Sequence, residues 1–251
     1  MKDALLRDGV VQISIVIPVW NEEKENIREL YLRLTKVLIS LERTYEIIFV
    51  DDGSRDETFD VLRSLHQIDG QVKIIRLARN FGQAVASSAG LEYANGEIIV
   101  TIDSDLQYLP EDIPKLIKKI DNGFDVVAGW RKKRYNTSLA RRMPSNLINA
   151  LARIRLKADI HDYGCSFNAI KKNVVAQLKS YGKRRRFIKP LAVTLTDSIA
   201  EIKIECHPRK KGRSGYGLFK LLKLGLDCLT NFSTRPLREA KPLFIVREII
   251  N

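Results

Sequence analysis

Two aspartates one residue apart, Asp103 and Asp105, follow directly on the apolar run EIIVTI, in the stretch TIDSDLQYLPED (101–112). A strand that ends in an ordinary turn gains nothing from crowding two carboxylates at its mouth. Helix capping accounts for single acidic residues such as Asp56 or Asp112, but it leaves the adjacent pair unexplained. A hard divalent cation such as Mg²⁺ or Mn²⁺ prefers oxygen ligands and is commonly held by one or two carboxylates plus substrate phosphates. The pair therefore points to a metal bound together with a diphosphate. A second acidic turn, Asp51-Asp52-Gly53-Ser54, follows the apolar run YEIIFV.

Both turns need a scaffold that brings them to one place. ISIVIPV (13–19) is continuously apolar and is followed by NEEKEN, then by Ile27, Leu30, Leu34, Val37, Leu38 and Leu41 at helical spacing. Strand, loop and helix recur: YEIIFVDD precedes a helix through Leu62 and Leu65, and VKIIRLA precedes one from Gln83 to Ala94. EIIVTID leads to a helix opened by Pro110, and FDVVAGW follows. Short, continuously apolar strands between helices predict an α/β fold, a mostly parallel sheet covered on both faces. Ligands of such sheets bind beyond the carboxyl ends of the strands. The expected site is thus built by the loops after Val19, Val50, Leu77, Ile102 and Ala128.

Charge divides along the chain. Residues 1–130 carry 15 Lys+Arg against 22 Asp+Glu, net −7, so residues 131–251 carry 28 against 8, net +20, and the sum is +13. A basic half of this size suits nucleic acid, an anionic membrane surface or a multiply charged substrate. Nucleic acid is disfavoured, because no recognisable RNA or DNA module is present and the acidic loops would repel a polyanion. Cys165, Cys206 and Cys228 contain no close pair, so neither a disulfide framework nor a zinc knuckle is expected. No apolar run reaches the ~20 residues of a membrane-spanning helix, and the start, MKDALLRDGV, lacks a signal-peptide core. The expected location is the cytosolic side.

Taken in order, IVIPVWNEE, VDDGS, RNFGQ, DSDLQYLPED and HDYGCSF resemble the family 2 inverting glycosyltransferases. Among these the resemblance is to the polyprenyl-phosphate glycosyltransferases, dolichyl-phosphate and bacterial undecaprenyl-phosphate enzymes, over residues 12–235. The resemblance implies a GT-A, Rossmann-like fold, with a catalytic domain over 1–213 and an amphipathic interface or partner-binding segment over 214–251. It implies a GDP- or UDP-sugar donor and Mg²⁺ or Mn²⁺ held by Asp103, Asp105 and Gln107. Pro18, Trp20, Asn21, Glu22, Asp51, Asp52, Asn80 and Gly82 match the donor pocket. Arg209, Arg213 and Ser214, in HPRKKGRSGYG, match a loop over the donor diphosphate. Asp162 matches the base or acceptor-orienting position, and Asp105 and Asp162 are the expected catalytic pair. Arg131, Arg141 and Ser145 match the acceptor-phosphate set, where planar guanidinium forks suit phosphate oxygens. His161 is given no role.

The acceptor implied is a polyprenyl phosphate; a hydroxyl acceptor in polysaccharide synthesis is the competing expectation. A phosphate monoester has a second pKa near ~6 and is already a nucleophile at neutral pH, whereas a hydroxyl needs proton removal in the transition state. In-line attack with inversion follows. Residues 214–232, SGYGLFKLLKLGLDCLTNF, carry Lys220, Lys223 and Asp227 on one side and leucines over most of the rest. That pattern fits an amphipathic helix in a membrane interface; the alternative is a helix packed on the domain core or on a partner subunit. Peripheral attachment to the cytoplasmic face of a membrane is expected, through this segment, a separate membrane subunit or a homo-oligomer.

Overall fold

A computed structural model of the chain describes residues 10–131, 149–156, 158–182, 187–208 and 243–251. Strands β1 (Ile13–Val19), β2 (Tyr45–Asp51), β3 (Val72–Leu77), β4 (Ile98–Thr101) and β5 (Val126–Arg131) fall on the predicted apolar runs. Helices α1 (Lys24–Ser40), α2 (Thr58–Ile68), α3 (Gln83–Tyr93) and α4 (Ile113–Asp121) alternate with them. Pro110 opens a short 3-10 turn, Pro110–Asp112, that runs into α4, as its fixed φ and missing N–H favour at a helix start. Then come β6 (Asn168–Lys171), α5 (Lys172–Lys179), α6 (Ile188–Ala192), β7 (Ile199–Ile204) and β8 (Val246–Ile250).

The eight strands form one sheet in the order β7-β5-β6-β4-β1-β2-β3-β8. β1 is parallel to β2 and β4, β2 to β3, and β5 to β7. Every residue of β1 is buried, which is why that strand is apolar throughout except for Ser14, whose hydroxyl donates to Glu46. One face packs Ile15, Ile17, Ile47 and Phe49 against α1, α2 and α4, and the other packs Val16, Ile48 and Val50 against α3, α5 and α6. Each fully buried Ile, Leu or Phe contributes roughly 1.5–3 kcal/mol relative to exposure. That offsets the cost of polar groups buried at the strand ends. α3 comes close to the sheet through Gly90, where a Cβ would sit 2.3 Å from Val16 Cγ1.

Two strands break the parallel pattern. β6 runs antiparallel between β4 and β5, so the approach to β6 lies at the carboxyl ends of its neighbours. β8 runs antiparallel on the outer edge beside β3. Residues 246–250, expected with the appended segment, are therefore part of the main sheet: a strand of alternating side chains that extends its edge. The amphipathic stretch 214–232 lies outside the described residues. Among the described residues, no helix is long and apolar enough to cross a membrane.

Candidate active site

The loops after β1, β2, β3 and β4 converge with the end of β5 and the loop that leads into β6. Asp103 stands just past β4 and is partly buried, and Asp105 is 4% exposed. Both Asp103 oxygens are occupied: Gln83 Nε2 donates to Oδ1 at 2.5 Å and Ser166 Oγ to Oδ2 at 2.6 Å. Burial, then the Asp105 charge, push the Asp103 carboxyl up to about 6, against the pull of those two donors and Arg131. The turn is made by Leu106, buried and at φ 57, a left-handed conformation uncommon for a side chain of this kind. The Gln107 N–H then donates back to Asp105 Oδ1 at 3.1 Å, and its side-chain amide donates to the His207 carbonyl at 3.3 Å.

The loop after β1 braces this turn. Glu22 accepts from Ser104 Oγ at 3.1 Å and from Asn26 Nδ2 at 2.8 Å. Asn21, at φ 45, donates its N–H to Ser54 Oγ at 3.0 Å and accepts the Arg55 N–H on its side chain at 3.0 Å. Pro18 is buried inside β1 opposite Val50, whereas Trp20 is 49% exposed and Asn80 is exposed.

Asp51 and Asp52 tie the second loop to its neighbours. Asp51 accepts the Ser54 N–H at 2.9 Å, and Arg76 Nε lies 3.3 Å from its other oxygen, an ion pair without hydrogen-bond alignment. Asp52 accepts the backbone N–H groups of Phe81 and Gly82, both at 2.8 Å. Gly82 has φ +97, and a Cβ there would meet nothing within 4 Å. The glycine is required by backbone conformation and not by close approach. Gly53 shows both demands, with φ +70 and a built Cβ only 2.5 Å from the Arg79 carbonyl carbon.

Burial raises Asp52 to about 6, with the two N–H donors opposing and Asp51 adding to the rise. A folded-state value above the unfolded one favours folding at low pH, and that contribution is lost as pH rises from about 4 through about 6. The stability of the natural chain relative to Asp52→Asn should therefore fall by roughly 2 kcal/mol between pH 4 and pH 7. Urea unfolding of both proteins across that range measures it, and parallel curves would contradict the assignment.

Because β6 is antiparallel to β5, Arg131 at the end of β5 meets Asp162 in the loop before β6. Arg131 grips the carboxylate with both arms, Nε to Oδ2 at 2.6 Å and NH2 to Oδ1 at 2.8 Å. Asp162 is 1% exposed and also accepts the Gly164 N–H at 3.2 Å. Beneath it, the buried Lys189 donates to the carbonyls of Asp162 and Gly129 at 2.7 and 3.2 Å, and burial pulls its pKa down. His161 stacks on Trp130 with ring centroids 4.1 Å apart, and its ring and backbone N–H both bond Glu201. It orients the loop that carries Asp162.

Gln83, Ser166, Lys189 and Glu201 were not among the residues singled out from sequence. Only Gln83 had a signal, as the last residue of RNFGQ. Arg141, Ser145, Arg209, Arg213 and Ser214 lie outside the described residues. A cleft of about 480 Å³ opens beside Trp20, Asn21, Ser54, Arg79 and Asn80 at the ends of β1, β2 and β3. Of the expected donor set, Trp20, Asn21 and Asn80 line this cleft.

Comparison with known proteins places this geometry. The profile described as Glycosyl transferase family 2 matches residues 14–179. Undecaprenyl-phosphate 4-deoxy-4-formamido-L-arabinose transferase of Shewanella sediminis is 39% identical over 227 residues, covering 90% of this chain and 68% of that one. The Pseudomonas aeruginosa protein of the same name is 37% identical over 90% of this chain and 66% of its own. The chain therefore spans about two thirds of the length of these relatives. Among solved structures, glucosyl-3-phosphoglycerate synthase from Mycobacterium tuberculosis, in complex with Mn²⁺, UDP and glucosyl-3-phosphoglycerate, superposes with TM-score 0.63 at 20% identity. That match covers 89% of this chain and 81% of that one. Staphylococcus aureus TarS 1–349 with UDP-GlcNAc gives 0.58 at 16% identity, over 89% and 68%. At these identities the two structures speak to the fold alone.

Proposed function

The chain belongs to glycosyl transferase family 2, and on that premise we propose that it transfers a sugar from a nucleotide-diphosphate sugar to a polyprenyl phosphate, with inversion. The relatives' activity favours undecaprenyl over dolichyl phosphate as the acceptor. The structural observation that carries the reading is the grip of Arg131 on Asp162. A carboxylate held by both arms of a guanidinium is a weak proton acceptor, because the pairing favours its charged form. A hydroxyl acceptor would need such a base; a phosphate acceptor does not.

Asp103, Asp105 and the amide oxygen of Gln107 would hold a divalent cation. The residues fit the ion: the rise of Asp103 to about 6 under burial and the Asp105 charge marks a repulsion that a cation relieves. Among the described residues no group of three or more His, Cys, Asp or Glu gathers to hold a metal. Two carboxylates would thus leave coordination positions for substrate phosphate oxygens, as Mg²⁺ and Mn²⁺ sites commonly do. A cation there supplies Lewis-acid stabilisation of the departing diphosphate. Gln83 and Ser166 fix the Asp103 rotamer, and Glu22 fixes the turn through Ser104. Asp162 orients Arg131 toward an acceptor phosphate, whose oxygen bonds the anomeric carbon as the bond to the nucleoside diphosphate breaks. Arg141 and Ser145 would join the acceptor set, and Arg209, Arg213 and Ser214 the donor loop. With no helix among the described residues that can cross a membrane, contact with the lipid would be peripheral for this part of the chain, on the cytoplasmic face.

Incubation with a panel of nucleotide sugars, the 4-deoxy-4-formamido-L-arabinose donor included, and a short-chain polyprenyl phosphate tests the proposal. The expected product is a lipid-linked phosphosugar that forms with Mg²⁺ or Mn²⁺ and not with chelator. Turnover onto a soluble hydroxyl acceptor, indifferent to lipid phosphate, would overturn it.

A further inference from the structure

Arg247 lies on β8, beyond the family-matched residues 14–179, yet it lines the cleft at the ends of β1, β2 and β3. It does so because of a defect in strand pairing. The β3–β8 register runs Arg76↔Glu248 and then Leu77↔Val246, one step on β3 against two on β8. Arg247 is the extra residue of this β-bulge, and a bulge takes its extra residue out of the ladder and re-aims the side chain. Its neighbour Glu248 turns instead to Arg63 on α2, 3.9 Å away. The Ala78 N–H donates to the Ile245 carbonyl at 2.9 Å, which locks the bulge to the loop after β3.

The cleft that Arg247 enters is lined by donors. Arg55, Arg76 and Arg79 stand with it, and no carboxylate is among the lining residues. Arg76 is already engaged with Asp51, while Arg55 and Arg247 have no ion-pair partner among the described residues. A guanidinium donates and cannot accept. It therefore suits a base edge that carries keto oxygens and is mismatched to an exocyclic amino group, which is also a donor. The diphosphate end of a donor lies elsewhere. β8 is four strands from β4 in the sheet, roughly 19 Å at ordinary strand spacing, so phosphates held near Asp103 and Asp105 are out of its reach.

We propose that Arg247 is a specificity-determining residue of the donor site, which donates to the keto edge of a uracil or guanine base and disfavours cytosine and adenine. The inference rests on the donor reading given above. Calorimetric titration of the full chain with UDP, GDP, CDP, ADP and inorganic pyrophosphate, all with Mg²⁺, tests it. UDP or GDP should bind more tightly than CDP and ADP. Arg247→Ala should weaken that preferred nucleotide about tenfold, as loss of one charged hydrogen bond does, and leave CDP, ADP and pyrophosphate within about twofold. Arg247→Lys should restore part of the loss. Unchanged affinity in Arg247→Ala, or an equal loss for every ligand including pyrophosphate, would overturn the assignment while leaving the donor reading intact. If the natural chain binds none of the four nucleotides, the donor reading itself falls and Arg247 falls with it.

Discussion

Asp105→Asn is expected to lower turnover by at least about a hundredfold, which corresponds to roughly 2.7 kcal/mol of transition-state stabilisation. Asn has the size of Asp, and its carbonyl can still accept the Gln107 N–H that closes the turn. What disappears is a buried negative charge beside Asp103, the second of the causes that raise Asp103 to about 6. In the absence of metal, the variant loses that repulsion. In its presence, the natural chain should gain stability as any folded-state ligand confers, and the variant should gain far less. Thermal melts with and without Mn²⁺, run beside the transfer assay, separate the effects. A variant that turns over normally, or keeps the full metal-dependent gain, would remove Asp105 from the metal site.

How much of this was legible in the sequence follows from what each element buries. β1 to β5 were readable because both their faces are largely covered, so each is a mostly apolar run with a loop on either side. β6 was not: NAIK is four residues long, ends in Lys171 and carries too few apolar positions to show a period. Yet β6 decides the site, since its antiparallel course between β4 and β5 puts Ser166 against Asp103 and Asp162 against Arg131. The acidic pair itself could be found from sequence, because two carboxylates after an apolar strand have no bland explanation. Its supports could not. Lys189 sits in KRRRFIK, which reads as a solvated turn, and only the packing of α6 shows the ammonium buried under Asp162. Arg247 was hidden for a different reason: a bulge depends on pairing with β3, and nothing in VREII announces it.

Arg131→Met should destabilise the protein by about 3–5 kcal/mol, the cost of leaving a buried carboxylate without its partner. Asp162 keeps 2% side-chain exposure and Arg131 18%, so water cannot replace the guanidinium. For a domain of this size each kcal/mol shifts the melting temperature by about 2–4 °C, so a drop on the order of 10 °C is expected. Adding Asp162→Asn in the same chain should recover part of it, because the carboxylate that needed the guanidinium is gone; a double-mutant cycle gives the coupling. Stability alone would make the pair a structural strut. The acceptor proposal asks more: at a temperature where Arg131→Met is folded, KM for polyprenyl phosphate should rise while affinity for the nucleotide stays near that of the natural chain. Gly164 sharpens the distinction, since a Cβ there would lie 3.1 Å from the Arg131 guanidinium, so Gly164→Ala would push the guanidinium by a few tenths of an ångström without removing its charge. If the phosphate contact is real, that variant too should lose acceptor affinity at a smaller cost in stability. If neither variant changes acceptor dependence, Arg131 serves only to hold Asp162.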